Sequence, residues 1–490
     1  MVFALVLLPV TTGLLAFALP SDRRQRWLLV TSAGGHLALV IAALARQPAP
    51  AAHGWLQVDP LGMVFLLITS TLFFLASIYA IGYLQREVQS PRPDWVEGRL
   101  FSNAPERVFV GCMLLFLAAM TLVTVSHHLG LLWVAVEATT LASAPLIYFH
   151  RHHRSLEATW KYLVIASVGI ALALLGTLFM AAAASTGGRS VPLLVENLVA
   201  SGPSLDPTWL KAGFLLLLVG YGTKMGLAPL HTWLPDAHSE SPSLVSALMS
   251  GALLNCAFLG ILRSYQIMAA AGQQQFASGL LIGLGLLSMG IAAALILRQT
   301  DYKRMLAYSS VEHMGILAVG VGIGGAASFG ALLHALNHSL AKGLLFLVAG
   351  NVLAVYKTTA IRGVRGMLRV LPVSGPLWVA GFLAITGSPP FGSFLSEFTI
   401  LQASVSQGHW VVAVLYLALL AIVFIGMASV FLRMAQGEPW AEHVLPVREA
   451  ALAVAPPLVL AAAVLLLGVY LPSTLHDTLQ QAAGLLGGGR

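Results

Sequence analysis

Ionisable side chains that interrupt long apolar stretches are the residues of this sequence best suited to chemistry. A charge in the interior of a lipid bilayer is costly, so such residues usually mark a route for ions or protons. We find no nucleotide-binding loop, nucleophile elbow or haem motif beside them. The interrupting residues are Glu137, Lys161, Lys224, Arg263, Glu312, His313, His334, His338, Lys342 and Glu397.

Glu137 lies well inside the apolar stretch LLWVAVEATTLASAPL. Because no basic residue lies within one helical turn of it, a charge partner must come from another helix. The alternative is a carboxyl group that burial keeps neutral.

Lys224 lies deep in a stretch that glycine and proline interrupt, LLLLVGYGTKMGLAPLHTWLPDAHSESPS. These residue types weaken or break a helix, and a broken helix at membrane depth is tolerated only inside protein or beside a wet cavity. The alternative for Lys224 is a long side chain that reaches the membrane surface. Glu397 follows a second interruption, in the segment AITGSPPFGSFLSEF.

Two interrupted helices, each beside a charge, are typical of transporters built from inverted repeats. The shift in residue number that carries Lys224 onto Glu397 also carries Lys161 onto His334. The spacing predicts two repeats, each with its own titratable centre. We expect them to cover about 108–268 and 279–434.

His334, His338 and Lys342 are spaced at i, i+4 and i+8 in ALLHALNHSLAKGLLF. On a helix they form one stripe about 12 Å long. A polar file that passes protons between two half-channels is the favoured interpretation, since neutral imidazoles exchange protons near physiological pH. Ordinary hydrogen-bonded core histidines are one alternative. A metal site is another, although no further ligand is adjacent in sequence, and we predict none.

Several other residues are secondary candidates for a proton path. Glu312 and His313 lie together in AYSSVEHMG. Lys161 follows Glu157 by four residues, a spacing that suits a local ion pair equally well. Arg263 is expected to extend to the membrane surface.

The segment HTWLPDAHSESP is a candidate for the cytoplasmic mouth of a channel. Its titratable residues are His231, Asp236, His238 and Glu240. A rigid turn bounded by proline and helix caps explains the same residues equally well.

Composition fixes the class of protein. The chain has 490 residues, of which 58% are hydrophobic and 9% are charged, whereas a soluble domain has about 25% charged residues. Apolar stretches near the length needed to cross a bilayer recur from end to end. We therefore predict an all-α polytopic membrane protein with about fourteen spans, a single membrane domain over 1–490 and a C-terminal span at 450–471. Cys112 and Cys256 lie too far apart for a redox motif.

The net charge of +7 is explained by basic residues that indicate how the chain is oriented in the membrane. Most of the 26 basic residues fall on one side of the predicted spans, which is the pattern of cytoplasmic loops. If the side with most of the basic residues faces the cytoplasm, both termini lie on the non-cytoplasmic side. The charge therefore gives no reason to expect a nucleic-acid partner, and the N-terminus lacks the basic segment of a signal peptide.

Four motifs together are highly specific: KMGLAPLHTWLPDAHSESP, DYKRMLAYSSVEHMG, HALNHSLAKGLLF and SPPFGSFLSEF. They resemble the antiporter-like proton-pumping subunits of respiratory complex I and of Mrp antiporters, over about residues 55–435. Within that superfamily, WVAVEATTL, HSESP and LLNCA are most similar to the hydrogenase-4 component F branch.

The resemblance implies fourteen helices, with two inverted five-helix repeats and broken seventh and twelfth helices. It assigns Glu137 and Lys224 to an interacting pair on the fifth and seventh helices. It assigns the His334, His338 and Lys342 stripe to the central axis, and Glu397 to the outlet. Asn255 stands where several complex I subunits have a lysine, which puts proton storage there in doubt.

The resemblance also implies partners and location. It places the chain in a bacterial or archaeal cell membrane, as a subunit of a membrane-bound oxidoreductase. Expected partners are other antiporter-like subunits, a membrane anchor subunit, and NiFe hydrogenase and iron–sulfur subunits. We expect no cofactor and no catalytic redox centre in this chain. The alternatives are a Na⁺/H⁺ antiporter subunit, a membrane subunit for inorganic-carbon uptake, and a purely structural subunit.

Overall fold

The structure is a computed structural model that describes residues 1–87, 92–93, 98, 100–185, 191–439 and 447–488. Within these ranges the chain is almost entirely helical, and eleven helices are long and apolar enough to cross a membrane. The helices of the first half are α1 (Val2–Ala18), α2 (Asp22–Arg46), α3 (Pro60–Arg86), α4 (Glu106–Val125), α5 (Leu129–Ile147), α6 (His153–Ala183), α7 (Val195–Ala200), α8 (Pro207–Met225), α9 (Trp233–Glu240) and α10 (Ser243–Leu248).

A π-helical turn, Met249–Leu253, joins α10 to the next helix without a break. The helices of the second half are α11 (Leu254–Ala270), α12 (Gln274–Ile296), α13 (Tyr302–Ile323), α14 (Ala326–Tyr356), α15 (Met367–Val370), α16 (Ser374–Ile385), α17 (Gly392–Ser406), α18 (Trp410–Ala435), α19 (Ala451–Val469) and α20 (Ser473–Ala483). Two short strands, β1 (Arg92–Pro93) and β2 (Leu100–Phe101), pair in antiparallel fashion.

Aspartates at the helix starts explain several boundaries. Asp59 accepts a hydrogen bond from the Gly62 amide at the start of α3, Asp206 caps α8, and Asp301 caps α13. A carboxylate in this position satisfies backbone amides that have no partner within the helix. Proline occupies the first position of both α3 and α8, where its missing N–H costs nothing.

Two helices are interrupted at membrane depth. α8 ends at Gly226, whose φ of 86° is left-handed, and the chain resumes as α9 after a turn. α16 is followed by Gly387, also left-handed with a φ of 60°, and the chain resumes as α17. Glycine tolerates this conformation because it has no Cβ.

Small residues bring α6 and α8 into close contact. A Cβ at Gly220 would lie 2.5 Å from the Gly169 carbonyl oxygen, and one at Gly176 would lie 2.8 Å from the Leu217 side chain. Such glycines let helix backbones approach closely in membranes. This packing matters for the site because α6 and α8 position two of its side chains.

Arg263 does not extend to the membrane surface, and that expectation is wrong. Its guanidinium is buried and forms a two-pronged pair with Asp59, at 2.6 and 2.7 Å. His127 lies 3.2 Å from the same guanidinium. Burial alone would raise the pKa of the Asp59 carboxyl, but Arg263 and His127 hold this pKa well below its usual range. The group ties α11 to the loops before α3 and α5.

Candidate functional site

The first buried amine, Lys224 at the end of α8, is held by two hydroxyl groups. Its Nζ donates to Thr140 Oγ1 at 2.7 Å and to Tyr162 OH at 2.6 Å. Tyr162 on α6 also presents its ring to the amine, with 4.4 Å from Nζ to the ring centre. Lys224 is fully buried. Cation–π contact and hydroxyl dipoles partly replace the lost solvation of its charge.

Glu137 reaches Lys224 through Thr140. The Thr140 hydroxyl lies 3.1 Å from Glu137 Oε2 and 2.7 Å from Lys224 Nζ, so one side chain stands between the two charges. Ser143 extends the group by a 2.7 Å hydrogen bond to Tyr162. Glu137 itself is half-buried. The predicted residues thus meet in one cluster, joined by a bridging hydroxyl.

The second buried amine, Lys342 on α14, has a similar environment. Its Nζ donates to the Leu306 carbonyl at 2.5 Å and to Ser309 Oγ on α13. Lys342 is fully buried, and the nearby carboxylate of Glu312 acts on it electrostatically. The two lysines therefore have similar surroundings. Each amine contacts neutral oxygen atoms, and each has a carboxylate nearby.

A cluster of histidines connects this amine to Glu397. His313 Nδ1 and His334 Nε2 are 2.8 Å apart, and the His313 and His338 ring centres are 4.8 Å apart. His334 Nδ1 bonds Ser396 Oγ on α17 at 2.9 Å. All of these imidazoles are buried. Glu312 Oε2 lies 3.9 Å from His313 Nε2.

The interruption after α16 leaves space for the Glu397 side chain. A Cβ at Gly387 would overlap Glu397 Oε2, so only glycine leaves room for the carboxylate. Glu397 is buried and contributes to a group with His313 and His334 whose ligand-type atoms lie within 4.8 Å. These three residues are a possible metal donor set. However, the hydrogen bond between the two imidazoles occupies one nitrogen of each.

The π-helical turn and α11 supply further buried polar groups. Asn255 donates to Ser339 on α14 at 2.8 Å, and Ser250 contacts Ser310 on α13 at 2.8 Å. All four side chains are buried, and the Asn255 carbonyl oxygen has no hydrogen-bond partner. Unpaired buried polar atoms at such positions are suited to binding water.

Two secondary candidates lie nearer the surface. Lys161 is about half exposed and forms the local pair with Glu157 at 2.7 Å, plus a second pair with Asp236 at 3.0 Å. His231 is buried in the turn between α8 and α9, where it packs edge-on against Tyr308. The structure does not bring Lys161 into the buried cluster.

The register of the two interruptions differs from the sequence spacing. The starts of α5 and α13 are separated by as many residues as the starts of α6 and α14. The left-handed glycines Gly226 and Gly387 are separated by fewer residues than these helix starts. Lys224 therefore precedes its interruption, whereas Glu397 follows its own.

With the interruptions aligned, the position equivalent to Glu397 is Asp236. Asp236 pairs with Lys161, and Glu397 lies beside His334, which is the position equivalent to Lys161. The sequence spacing of Lys224 and Glu397 therefore differs from that of the two left-handed glycines, because the chain between α14 and α16 is shorter than that between α6 and α8.

Sequence reasoning missed the hydroxyl groups that contact the charges. Thr140 lies one helical turn from Glu137, so helical periodicity could have identified it. Ser309 was not among the predicted site residues, yet it contacts Lys342. Tyr162 directly follows Lys161, and Ser396 directly precedes Glu397. Neither position indicated that these hydroxyls contact side chains on other helices.

Comparison with known proteins identifies the family. Residues 126–424 match the transmembrane family described as NADH:quinone oxidoreductase/Mrp antiporter. The chain belongs to this family. The family resemblance drawn from the motifs is therefore confirmed.

A curated relative supports the same assignment along the whole chain. The hydrogenase-4 component F homolog of Methylacidiphilum infernorum is 35% identical over 490 residues, which cover 99% of each chain. This antiporter-family chain is thus similar to the hydrogenase-4 component F type, as the motifs predicted.

Solved structures match the fold. A chain of the archaeal membrane-bound sulfane sulfur reductase superposes with a TM-score of 0.86 at 22% identity, covering 99% of this chain and 97% of that chain. A chain of respiratory complex I from Thermus thermophilus superposes with a TM-score of 0.81 at 26% identity, covering both chains fully. The fold is that of an antiporter-like subunit.

Proposed function

We propose that this chain is a proton-translocating membrane subunit of a redox complex of the hydrogenase-4 and complex I type. The observation that carries the proposal is the pair of buried lysines, Lys224 and Lys342, whose amines contact neutral oxygen atoms. Whether such an amine carries a proton depends on the charged groups near it. Those groups are Glu137 and Glu312.

The first half of the mechanism is a change in the coupling between Glu137 and Lys224. While Thr140 bridges them, the carboxylate stabilises the protonated amine. If Glu137 moves away or is neutralised, that stabilisation is lost and the amine releases its proton. Conformational or electrostatic changes in neighbouring redox subunits supply the driving force by favouring one of these two states.

The second half passes the proton toward Glu397. Asn255 and Ser339 bridge the first and second centres by water, and Lys342 accepts the proton beside Ser309. The imidazoles of His313 and His334 then relay it to Glu397, each accepting a proton at one nitrogen and releasing one from the other.

The proposed architecture has fourteen crossings in two inverted five-helix repeats, at about 108–268 and 279–434. α1 and α8 each add a crossing to the eleven long helices, and α16 with α17 forms another, interrupted one. Both termini lie on the non-cytoplasmic side of a bacterial or archaeal cell membrane. The basic residues of the predicted cytoplasmic loops support this orientation.

A neighbouring membrane subunit covers the exposed side of α5. Glu137 is half-buried on a face where Val134 is 49% and Leu141 63% exposed. A carboxylate facing lipid at this depth is costly, so a protein surface there is favoured. The proposed partners are other antiporter-like subunits, a membrane anchor, and NiFe hydrogenase and iron–sulfur subunits. The name of the full-length relative supports this set.

The test is affinity purification of the tagged chain in mild detergent, followed by mass spectrometry of the bound proteins. NiFe hydrogenase and iron–sulfur subunits are the expected result. Recovery of Na⁺/H⁺ exchanger subunits alone, with transport that depends on Na⁺, would replace the proposal with an exchanger. A lone soluble zinc protein would instead indicate inorganic-carbon uptake.

A further inference from the structure

His238 on α9 is a buried histidine that the mechanism above does not use. Its imidazole is fully buried, and within the described part of the chain neither ring nitrogen has a well-formed hydrogen bond. The ring lies parallel to that of Phe346 on α14, with 5.3 Å between their centres. A buried imidazole with two unsatisfied nitrogens costs free energy unless water or a mobile proton serves it.

A large cavity lies beside the chain segment that follows His238. Its volume is about 850 Å³, and its walls include Ser239, Ser241 and Ser243 next to His238 in the chain. The exposed side chains of Arg86 and Arg448 also line it, so it is open to solvent. Water can therefore reach the backbone that surrounds His238.

A short polar connection leads from the cavity wall to the backbone carbonyl of His238. Ser241 Oγ lies 2.8 Å from Ser246 Oγ, and Ser246 Oγ donates to the His238 carbonyl at 2.8 Å. Lys303 donates to the carbonyls of Ser239 and Ser241, which fixes this segment against α13. The cavity wall and His238 thus belong to one rigid unit.

Lys342 lies near the ring that stacks on His238. Phe346, which stacks on His238, is one helical turn from Lys342 on α14, so both side chains lie on the same face. The charge of Lys342 acts directly on His238, and His238 acts on His338. The second buried amine is thus one helical turn from the ring that stacks on His238, and the residues that follow His238 in the chain line the cavity.

We propose that His238 relays protons from this cavity to Lys342, giving the second half of the path an entrance that does not pass through Lys224. The inference rests on the proposed function. The imidazole accepts a proton at one ring nitrogen from cavity water and releases the proton on its other nitrogen toward Lys342, across water. It returns to its starting tautomer before the next transfer.

His36 shows what a purely structural histidine looks like in the same molecule. It is also fully buried, but Ser70 contacts one ring nitrogen at 2.9 Å and Thr121 contacts the other at 3.0 Å. Its hydrogen bonds are satisfied within α2, α3 and α4. His36→Gln is therefore the matched control for a buried histidine outside the path.

The experiment measures redox-driven proton uptake and electron transfer separately, in membrane vesicles that hold the intact assembly. His238→Ala and His238→Gln are expected to lower proton uptake per electron at least about tenfold. Imidazole added to His238→Ala should restore uptake in proportion to its concentration, because it can enter the vacated space from the cavity. His36→Gln should keep the wild-type ratio.

Wild-type proton uptake in both His238 variants would overturn the proposal. So would a loss that imidazole does not restore, since this would indicate a structural role. Lys342→Met, measured in parallel, distinguishes the two levels of inference. If Lys342→Met loses uptake while the His238 variants keep it, only the role of His238 fails. If Lys342→Met keeps uptake, the proposed function itself fails.

Discussion

At the scale of single residues, Thr140 determines how the first carboxylate and amine influence each other. It bridges Glu137 and Lys224, whereas its neighbour Thr139 bonds the Val136 carbonyl of its own helix. Both threonines are buried on α5. The chain therefore offers two adjacent hydroxyls, one inside the proton path and one outside.

Thr140→Val should lower proton translocation while the assembly remains intact. Valine keeps the volume but removes the bridge, and a lost hydrogen bond to a charged group costs about 1.5–3 kcal/mol. We expect a decrease of about tenfold or more in proton uptake per electron. Thr139→Val, measured in the same vesicles, should leave uptake unchanged. Equal effects of the two substitutions would contradict a specific role for Thr140.

Asp59→Asn should destabilise the protein at neutral pH. Asparagine can still cap α3, but it leaves the buried Arg263 without its counter-charge, which costs about 3–5 kcal/mol. Because Arg263 holds the pKa of Asp59 below its usual range, the stabilisation is fully present above about pH 4 and declines as pH falls further.

The measurement is the free energy of unfolding in detergent at pH 7, 5 and 3.5. The difference in the free energy of unfolding between wild type and Asp59→Asn should be equal at pH 7 and pH 5 and smaller at pH 3.5. Asp206→Asn is the control, since Asp206 caps α8 with hydrogen bonds to two backbone amides. A gap that widens in acid would contradict the ion-pair account.

Sequence reasoning identified the charged residues but not their contacts. Lys224, Lys342 and Glu397 were found because a charge in an apolar stretch is conspicuous. The hydroxyls of Tyr162 and Ser396 belong to common residue types and contact side chains on other helices, so the sequence could not indicate these contacts. Arg263 was misassigned because its partner, Asp59, is 204 residues away.

At the scale of elements, α9 is held by both halves of the molecule. Asp236 pairs with Lys161 on α6 and with Arg304 on α13. Lys303, also on α13, donates to two carbonyls at the end of α9, where a positive charge is favoured by the helix dipole. The half-helix that follows Lys224 is thus fixed to the helix that bears Glu312.

Lys303→Met should lower the unfolding temperature in detergent. The substitution leaves two buried carbonyls without a donor, at about 1–3 kcal/mol for each unsatisfied group. Arg298→Met is the control, because Arg298 is an exposed basic residue just after the end of α12. An unfolding temperature equal to that of the control would contradict a structural role for Lys303.

The interruptions of α8 and α16 could be predicted from glycine and proline alone. Their register could not be predicted, because it depends on the length of the connections. One constant shift relates the starts of α5 and α6 to those of α13 and α14, but the left-handed glycines are closer together in sequence than that shift. A pattern of glycine and proline predicts where a helix is interrupted. It does not predict which residues of the two interrupted helices occupy equivalent positions.

At the scale of the whole molecule, two buried lysine centres lie in one continuous helical body. α10 and α11 are buried along their shared span, and they pack against α14 and α8, the helices that bear the two lysines. Hydropathy and motifs were sufficient for the membrane class and the family. They could not give the distances between side chains on different helices, which decide whether charges touch or communicate through a hydroxyl.

The most direct test of the central claim is redox-driven proton uptake in vesicles containing Lys224→Met. Lys211→Met is the control, since Lys211 lies on the same helix and faces the Phe276 ring instead of the site. Both variants should assemble and transfer electrons. The account predicts that Lys224→Met loses most of its proton uptake while Lys211→Met keeps it. Full proton uptake in Lys224→Met would contradict the account.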